Sequence, residues 1–468
     1  MNHMKNTILF FTVIASVFSS FAGNKITYTL NYNQNSDKVN IVIEFDPVEA
    51  GTAKLVIPRS APGNYALTNY LAFVDEVVGY TAAGKELMGS VGDGSYFMFD
   101  HSDEFLKKVS YTVDIKQMET DLLYASDTSK SRKDYLGLLG YSVFGYIEGL
   151  ENEAIDLKIH TDSSWRIFST LQPSIHTRKG FNSYQAENFA LLADAQYLLG
   201  KAFQVIRVKK APIPLFVAVY SETPVNTDVI GKMGLLALQG LAGYFGYIPM
   251  PHYTLLYEFL NPISERHDYG FSMEHLNSMT SSNNTSSPIV NGNPDTRLGS
   301  IIHHIGHCWV PLRSYGEGYR PFSWQVAPLI ETIWLNEGFT WYVSYYKILK
   351  NEDILEWFKR NMKQAPDYIN NKSLRELSLL GSTQYAKDFR IGKNLFSRGA
   401  LMAYDLDEYI QQQTNGKKSF KDAILGLLNW TKVNQRAFKY HEIEPIISKA
   451  TGVDLSHIWD KWQQPLKD

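Results

Sequence analysis

The chain has 468 residues, a formal net charge of -3, and 44% hydrophobic against 20% charged side chains. That is the composition of a globular protein of two or three domains, with no basic excess to draw nucleic acid or an anionic membrane. Its single cysteine, Cys308, excludes an intramolecular disulfide, so stability has to come from packed cores.

Residues 1–22 place Lys5 ahead of an apolar run from Ile8 to Phe21, with small residues at Ser20 and Ala22 for cleavage. This is the pattern of a cleaved secretory signal, and it predicts a periplasmic or secreted protein. The apolar core is short for a membrane helix, and no later stretch supplies 18 consecutive apolar residues, so the mature chain is expected to lack a membrane span.

From residue 23 to 203 the pattern is that of strands. Residues 25–30, 39–45 and 109–115 alternate, or are rich in β-branched and aromatic side chains, between Gly, Pro, Asn and Asp turns. An antiparallel β-sandwich is the expectation. Pro62-Gly63 within 58–65 reads as a structural turn pair.

Residues 204–345 mix the two periods. A buried strand at 214–220, a helix at 228–245 and a strand at 253–260 precede a further strand carrying Glu274 and His275. The Ser/Asn-rich run 278–293 reads as a polar loop, either a plain connector or a gate. It leads into residues 295–310, where Asn293 or Asp295 can cap a helix, Pro294 suits its first turn and Pro311 stops it.

On that helix His303 and His307 stand at i and i+4, on one face and one turn apart. The spacing lets two imidazoles close on one metal ion at roughly 2.0–2.1 Å. By itself the pair is weak, since 12 histidines in this length give roughly 0.3 such pairs by chance. A second helical segment, 329–342, carries Glu337 among Ile333, Trp334, Leu335 and Phe339. A carboxylate there is costly to bury unless it is a third metal ligand or pairs with Lys or Arg. Cys308 lies four residues after His304, so it is either a small core residue or half of a second metal pair. Residues 313–325 read as an ordered loop, and 346–468 as a helical domain with helices at 353–362, 394–413, 419–430, 443–450 and 455–462.

Together, His303-x-x-x-His307 with Trp309, then Trp334-Leu-Asn-Glu337-Gly-Phe-Thr340, and Glu274-His275 behind Gly270 resemble the M61 (glycyl aminopeptidase-like) zinc metallopeptidases. The segment at Pro62-Gly63-Asn64-Tyr65 resembles that family's PGxY signature. The resemblance implies a thermolysin-like (gluzincin) α/β domain between the β domain and the helical domain; many of these relatives continue into a PDZ domain, which this chain is expected to lack. It implies Zn2+ held by His303, His307 and Glu337, and Glu274 near a peptide's free amine. An edge strand beside the metal helix would hold the peptide by main-chain pairing. Glu274 and His275 are then the candidate substrate contacts, and His304 and Glu274 the candidate catalytic residues.

The sequence departs from the family at two places. Its HExxH motif carries a glutamate after the first histidine, the general base that draws the proton from the attacking water; here that residue is His304. Losing such a base costs about 10²–10⁴ in rate. Related peptidases also have a Tyr-Tyr-x-Lys-Gly segment supplying an oxyanion donor, where this chain has Leu395-Phe396-Ser397-Arg398-Gly399, and such a donor is worth about 3–4 kcal/mol. The expected function is an exported M61-like zinc metallopeptidase, aminopeptidase-like, with intact metal ligands and impaired hydrolysis. The alternative is an active aminopeptidase on short peptides that uses His304 or a water relay. In both, the partner is a peptide, and the sequence carries no signal for an oligomeric state.

Overall fold

The computed structural model describes residues 26–34, 36–122, 128–287, 297–326 and 328–466. The leader read at 1–22 and the caps Asn293, Pro294 and Asp295 lie outside these residues.

The fold is α+β, with several sheets followed by a helical region. In the N-terminal part, alternation does what the period of two requires. Ile26, Tyr28, Leu30 and Tyr32 turn one face of the strand Ile26–Tyr32 into the core, while the residues between them are less buried. This strand is an inner one of a seven-stranded sheet, and smaller sheets of five and four strands complete the region. The expectation of a purely antiparallel sandwich is corrected at one pair: Ile26–Tyr32 runs parallel to Ile155–His160. The two strands are separated by more than a hundred residues, so a long crossover replaces the tight hairpin that antiparallel neighbours use.

The second region is built on a five-stranded sheet in the order Gln204–Arg207, Leu215–Ser221, Tyr253–Leu260, Ser278–Asn284, Gly270–His275. Leu215–Ser221 and Tyr253–Leu260 pair in parallel and are buried almost throughout, as continuous apolar runs predict. Helix Thr227–Phe245 connects them, capped by Asn226 and ended by Gly246 in the left-handed region.

Ser278–Asn284, part of the run read as a loop, is an inner strand and is nearly all buried. Its polar side chains are satisfied inside: Ser278 Oγ donates to Gln196 Oε1 at 2.8 Å, Ser282 Oγ to Glu258 Oε2 at 2.8 Å, and Ser281 and Ser272 share a 2.7 Å bond. Small hydroxyls with buried partners pair in a sheet as readily as apolar residues do, so polarity alone misled the reading. The remainder of that run, from 288 to 293, lies outside the described residues.

The β region and the second region meet through buried charge. Lys130 Nζ lies 3.0 Å from Glu258 Oε2, and Tyr135 donates to the same carboxylate at 2.7 Å. Arg132 bridges Glu119 at 2.7 Å and Glu222 at 2.6 Å. Such pairs fix relative orientation more than they stabilise, since desolvation offsets their attraction.

The helices of the C-terminal region fall where the apolar recurrence places them, the longest being Phe389–Thr414. Leu374–Gln384 was not anticipated, although Ser373 and Glu376 form a capping box at its start.

Candidate metal centre

The metal helix is shorter than the sequence predicts, Leu298–Gly306, with His307 as its C-cap. His307 still falls one turn beyond His303, because its backbone N–H donates to the His303 carbonyl at 3.1 Å. Glu337 comes from the helix Ile333–Trp341, which continues into a wider π-type turn over Tyr342–Ile348. This helix is pressed onto Phe389–Thr414 at Gly338 and Gly399. A β-carbon on Gly399 would stand 2.0 Å from the Trp334 carbonyl, so the glycine after Glu337 and its partner let the two backbones touch and fix the depth of the carboxylate.

The structure brings His303, His307 and Glu337 together. The two Nε2 atoms are 3.0 Å apart, and Glu337 Oε2 lies 3.3 Å from that of His303 and 3.7 Å from that of His307. Three donors around a tetrahedral ion bound at about 2.05 Å stand roughly 3.3 Å from one another, so the donor set fits a divalent ion with a fourth position open. All three residues are buried. Among the described residues, Glu337 has no Lys or Arg within ion-pairing distance, which resolves the two readings of this carboxylate in favour of the histidines.

Burial and the neighbouring imidazoles keep the two histidines neutral, as ligands must be. Burial first, then His304, holds His303 well below its usual range, and burial with His303 takes His307 down to about 3. The Val310 carbonyl accepts from His307 Nδ1 at 3.0 Å, which fixes the tautomer with its Nε2 lone pair toward the triad.

His304 is placed differently. Its Nδ1 donates to the Ser300 carbonyl at 2.7 Å, one turn back on its own helix, the backbone of Ser272 on the facing edge strand lies beside the ring, and burial lowers its basicity. The imidazole therefore lies between its own helix and the strand Gly270–His275. Cys308 is not a partner of His304: its thiol faces the Leu276 carbonyl at 3.8 Å, and burial pushes it up to about 12.

Glu274 reaches the centre from the edge strand, its Oε2 4.0 Å from His307 Nε2. His275, next to it, points the other way. Its Nδ1 bonds Asp194 at 3.1 Å and its Nε2 bonds Thr280 at 3.1 Å, so it joins the β region to the sheet and does not line the cavity.

A cavity of about 580 Å³ opens over the triad, lined by Glu274, His303, His304, Glu337 and residues the motifs did not supply. Gly63, Asn64 and Tyr65 enter it from the β region, which gives the turn read as structural a place at the site. Gly63 has φ +87° and Tyr65 φ +50°. A bulky residue held in the left-handed region costs about 1–3 kcal/mol, and such positions cluster where geometry matters. Leu395 is core, whereas Phe396 lines the cavity, stacked 4.9 Å from Trp341. Hydroxyls return from elsewhere: Tyr385, the C-cap of Leu374–Gln384, lines the cavity, as does Tyr65, which accepts from Asn336 at 3.3 Å. Burial, then Glu337, raises both phenols, which keeps them as donors.

Comparison with known proteins agrees with this arrangement. Residues 27–201 match the Peptidase M61 N-terminal domain. Across the whole chain, an aminopeptidase N family protein from Idiomarina loihiensis has the same fold, with TM-score 0.79 and 16% identity over 95% of this chain and 76% of that one. An M1 zinc metallopeptidase from Deinococcus radiodurans superposes with TM-score 0.55 and 10% identity, covering 95% of this chain and 94% of its own. A variant of that enzyme bound to the peptide Tyr-Ser-Ala gives TM-score 0.53 at 11% identity, over 96% of this chain and 95% of its own. No curated protein matches the chain in sequence.

Proposed function

From the match of residues 27–201 to the Peptidase M61 N-terminal domain we propose that the chain is an M61-type, zinc-binding, aminopeptidase-like protein that holds peptides and hydrolyses them poorly. The single observation carrying this reading is the setting of His304, buried and bonded through Nδ1 to its own helix. A general base has to present a lone pair to the attacking water. The Nδ1–H of His304 is held by Ser300, so its one lone pair is on Nε2, and burial lowers the basicity of the ring below that of an ordinary imidazole, which makes it a poor base for water.

His303, His307 and Glu337 are the residues that would hold zinc, within a thermolysin-like domain at 204–345 flanked by a β domain at 23–203 and a helical domain at 346–468. Zinc bound there supplies Lewis-acid polarisation of a peptide carbonyl and acidifies water. Glu274 takes the peptide's ammonium, and the exposed edge of Gly270–His275 pairs with its main chain. The Deinococcus neighbour bound to Tyr-Ser-Ala supports a peptide as the ligand. One feature favours turnover instead: Tyr385 offers a hydroxyl at the cavity, so an oxyanion donor is at hand even though Leu395 and Phe396 have none. Export through cleavage near Ala22 belongs to the same proposal, and N-terminal sequencing of the protein from its native compartment checks it.

The test is metal analysis combined with peptide titration and product analysis. Near-stoichiometric zinc, lost in His307→Ala, with tripeptide binding and no cleavage product over hours, supports the reading. Rapid chelator-sensitive release of N-terminal residues contradicts it.

A further inference from the structure

The cavity has two polar ends that the metal chemistry does not use. At one end Asn64 is 3% exposed, and neither its Oδ1 nor its Nδ2 has a hydrogen-bond partner. Its backbone N–H is tied to the Ala61 carbonyl at 3.1 Å, so the turn presents the side chain to the cavity beside Glu274. Leaving such an amide buried and unpaired costs about 1–3 kcal/mol, which a ligand hydrogen bond would recover. At the other end Arg297 lines the same cavity, near Tyr345, and among the described residues it has no carboxylate within ion-pairing distance. Asp268, which also lines the cavity, accepts from Asn284 at 2.7 Å.

The order of these groups along the cleft follows from the contacts. Glu274 stands beside His307, and Ser272, two residues earlier on the strand, stands beside His304. Strand and metal helix therefore run in the same direction. Gly270 lies toward the start of the helix, where Ser300 and Arg297 line the cavity. A peptide pairing antiparallel with this edge strand starts at Glu274, crosses the triad and points its C-terminus at Arg297. From Glu274 back to Gly270 is about 13 Å of strand, the length of three to four extended residues.

We propose that the cavity is a two-ended receptor for free tri- and tetrapeptides, in which Asn64 and Glu274 take the terminal ammonium and Arg297 takes the terminal carboxylate. The ammonium has three N–H donors, enough for the Glu274 carboxylate and the Asn64 carbonyl together. The guanidinium is a planar fork that matches a carboxylate. Trp341, Tyr345, Phe389 and Phe396 form the apolar wall between the ends and suit an aromatic side chain. The proposal rests on the reading of the cleft as a peptide site.

Calorimetric titration of the zinc-loaded full chain with Ala-Phe-Ala, its N-acetyl form and its C-terminal amide tests it, read as Kd, or as KM if the peptide is turned over. Acetylation and amidation are each expected to weaken binding by about tenfold or more, the scale of one charge-assisted hydrogen bond. Arg297→Met should remove the penalty for amidation and keep that for acetylation, and Asn64→Ala should weaken both free-amine peptides. Equal affinity for the acid and the amide overturns the two-ended receptor on wild-type protein alone, even if acetylation still weakens binding and the amino-terminal reading stands. Failure of all three peptides to bind zinc-loaded protein removes the peptide site itself.

Discussion

Gly63 lies against Glu274 so closely that a β-carbon on it would stand 2.5 Å from the carboxylate Oε1. The β region thus closes the Glu274 end of the cleft with bare backbone. Gly63→Ala meets both this contact and a φ of +87°. It should weaken tripeptide affinity by about tenfold or more while the metal triad, contributed by other elements, keeps its zinc. Unchanged affinity in a folded variant would show that the turn does not shape the site.

The triad predicts a stability linkage. Zinc binding only to the folded chain stabilises it by about 2.7 kcal/mol at a hundredfold excess over Kd. Tm of the wild type should rise with added zinc and fall with chelator, and Glu337→Gln should blunt the response. A Tm indifferent to zinc in the wild type would mean that the buried triad is not a metal site.

The domain junction has its own test. Lys130→Met leaves Glu258 buried without its cation and should cost about 3–5 kcal/mol, measured by denaturant unfolding. The pH dependence follows the same pair. Burial pushes the Glu258 carboxyl up, but Lys130, Tyr135 and Ser282 more than offset this and hold it below its ordinary value. A depressed folded value means stability that is present above the unfolded value of about 4.3 and is lost as pH falls through the folded one. The wild type should lose stability on acidification below about pH 4.3, and Lys130→Met should lose the share of that dependence that Lys130 supplies.

What the sequence made legible was local. His303 and His307 share a helix, and Glu337 stands out as a charge inside an apolar pattern, so spacing and contrast marked the candidates and the resemblance to M61 peptidases joined them into one ligand set. Asn64, Tyr65, Tyr385 and Arg297 reach the same cavity from separate elements, and no period within the chain records that convergence. His275 shows the reverse limit, since adjacency to Glu274 says nothing about direction when successive strand residues face opposite sides. Ser278–Asn284 hid as a loop because its partners, Gln196, Glu258 and Ser272, lie elsewhere in the chain. The capping box at Ser373 was a readable signal for Leu374–Gln384.

Tyr385 lines the cavity, to which Leu395 and Phe396 bring no hydroxyl. In any variant that regains turnover, Tyr385→Phe should lower kcat by about 10² or more with little change in tripeptide affinity, because an oxyanion donor acts mainly in the transition state. An unchanged kcat would remove Tyr385 from that role.

The central claim is that His304 stands where a general base is needed and does not serve as one. The direct measurement is turnover of aminoacyl reporters and of Ala-Phe-Ala by zinc-quantified wild type, His304→Glu and His304→Ala. The account predicts negligible wild-type turnover, no further loss in His304→Ala, and a gain of about 10² or more in His304→Glu, the scale of a restored base. Substantial chelator-sensitive turnover in the wild type that His304→Ala abolishes would contradict it and make His304 the base.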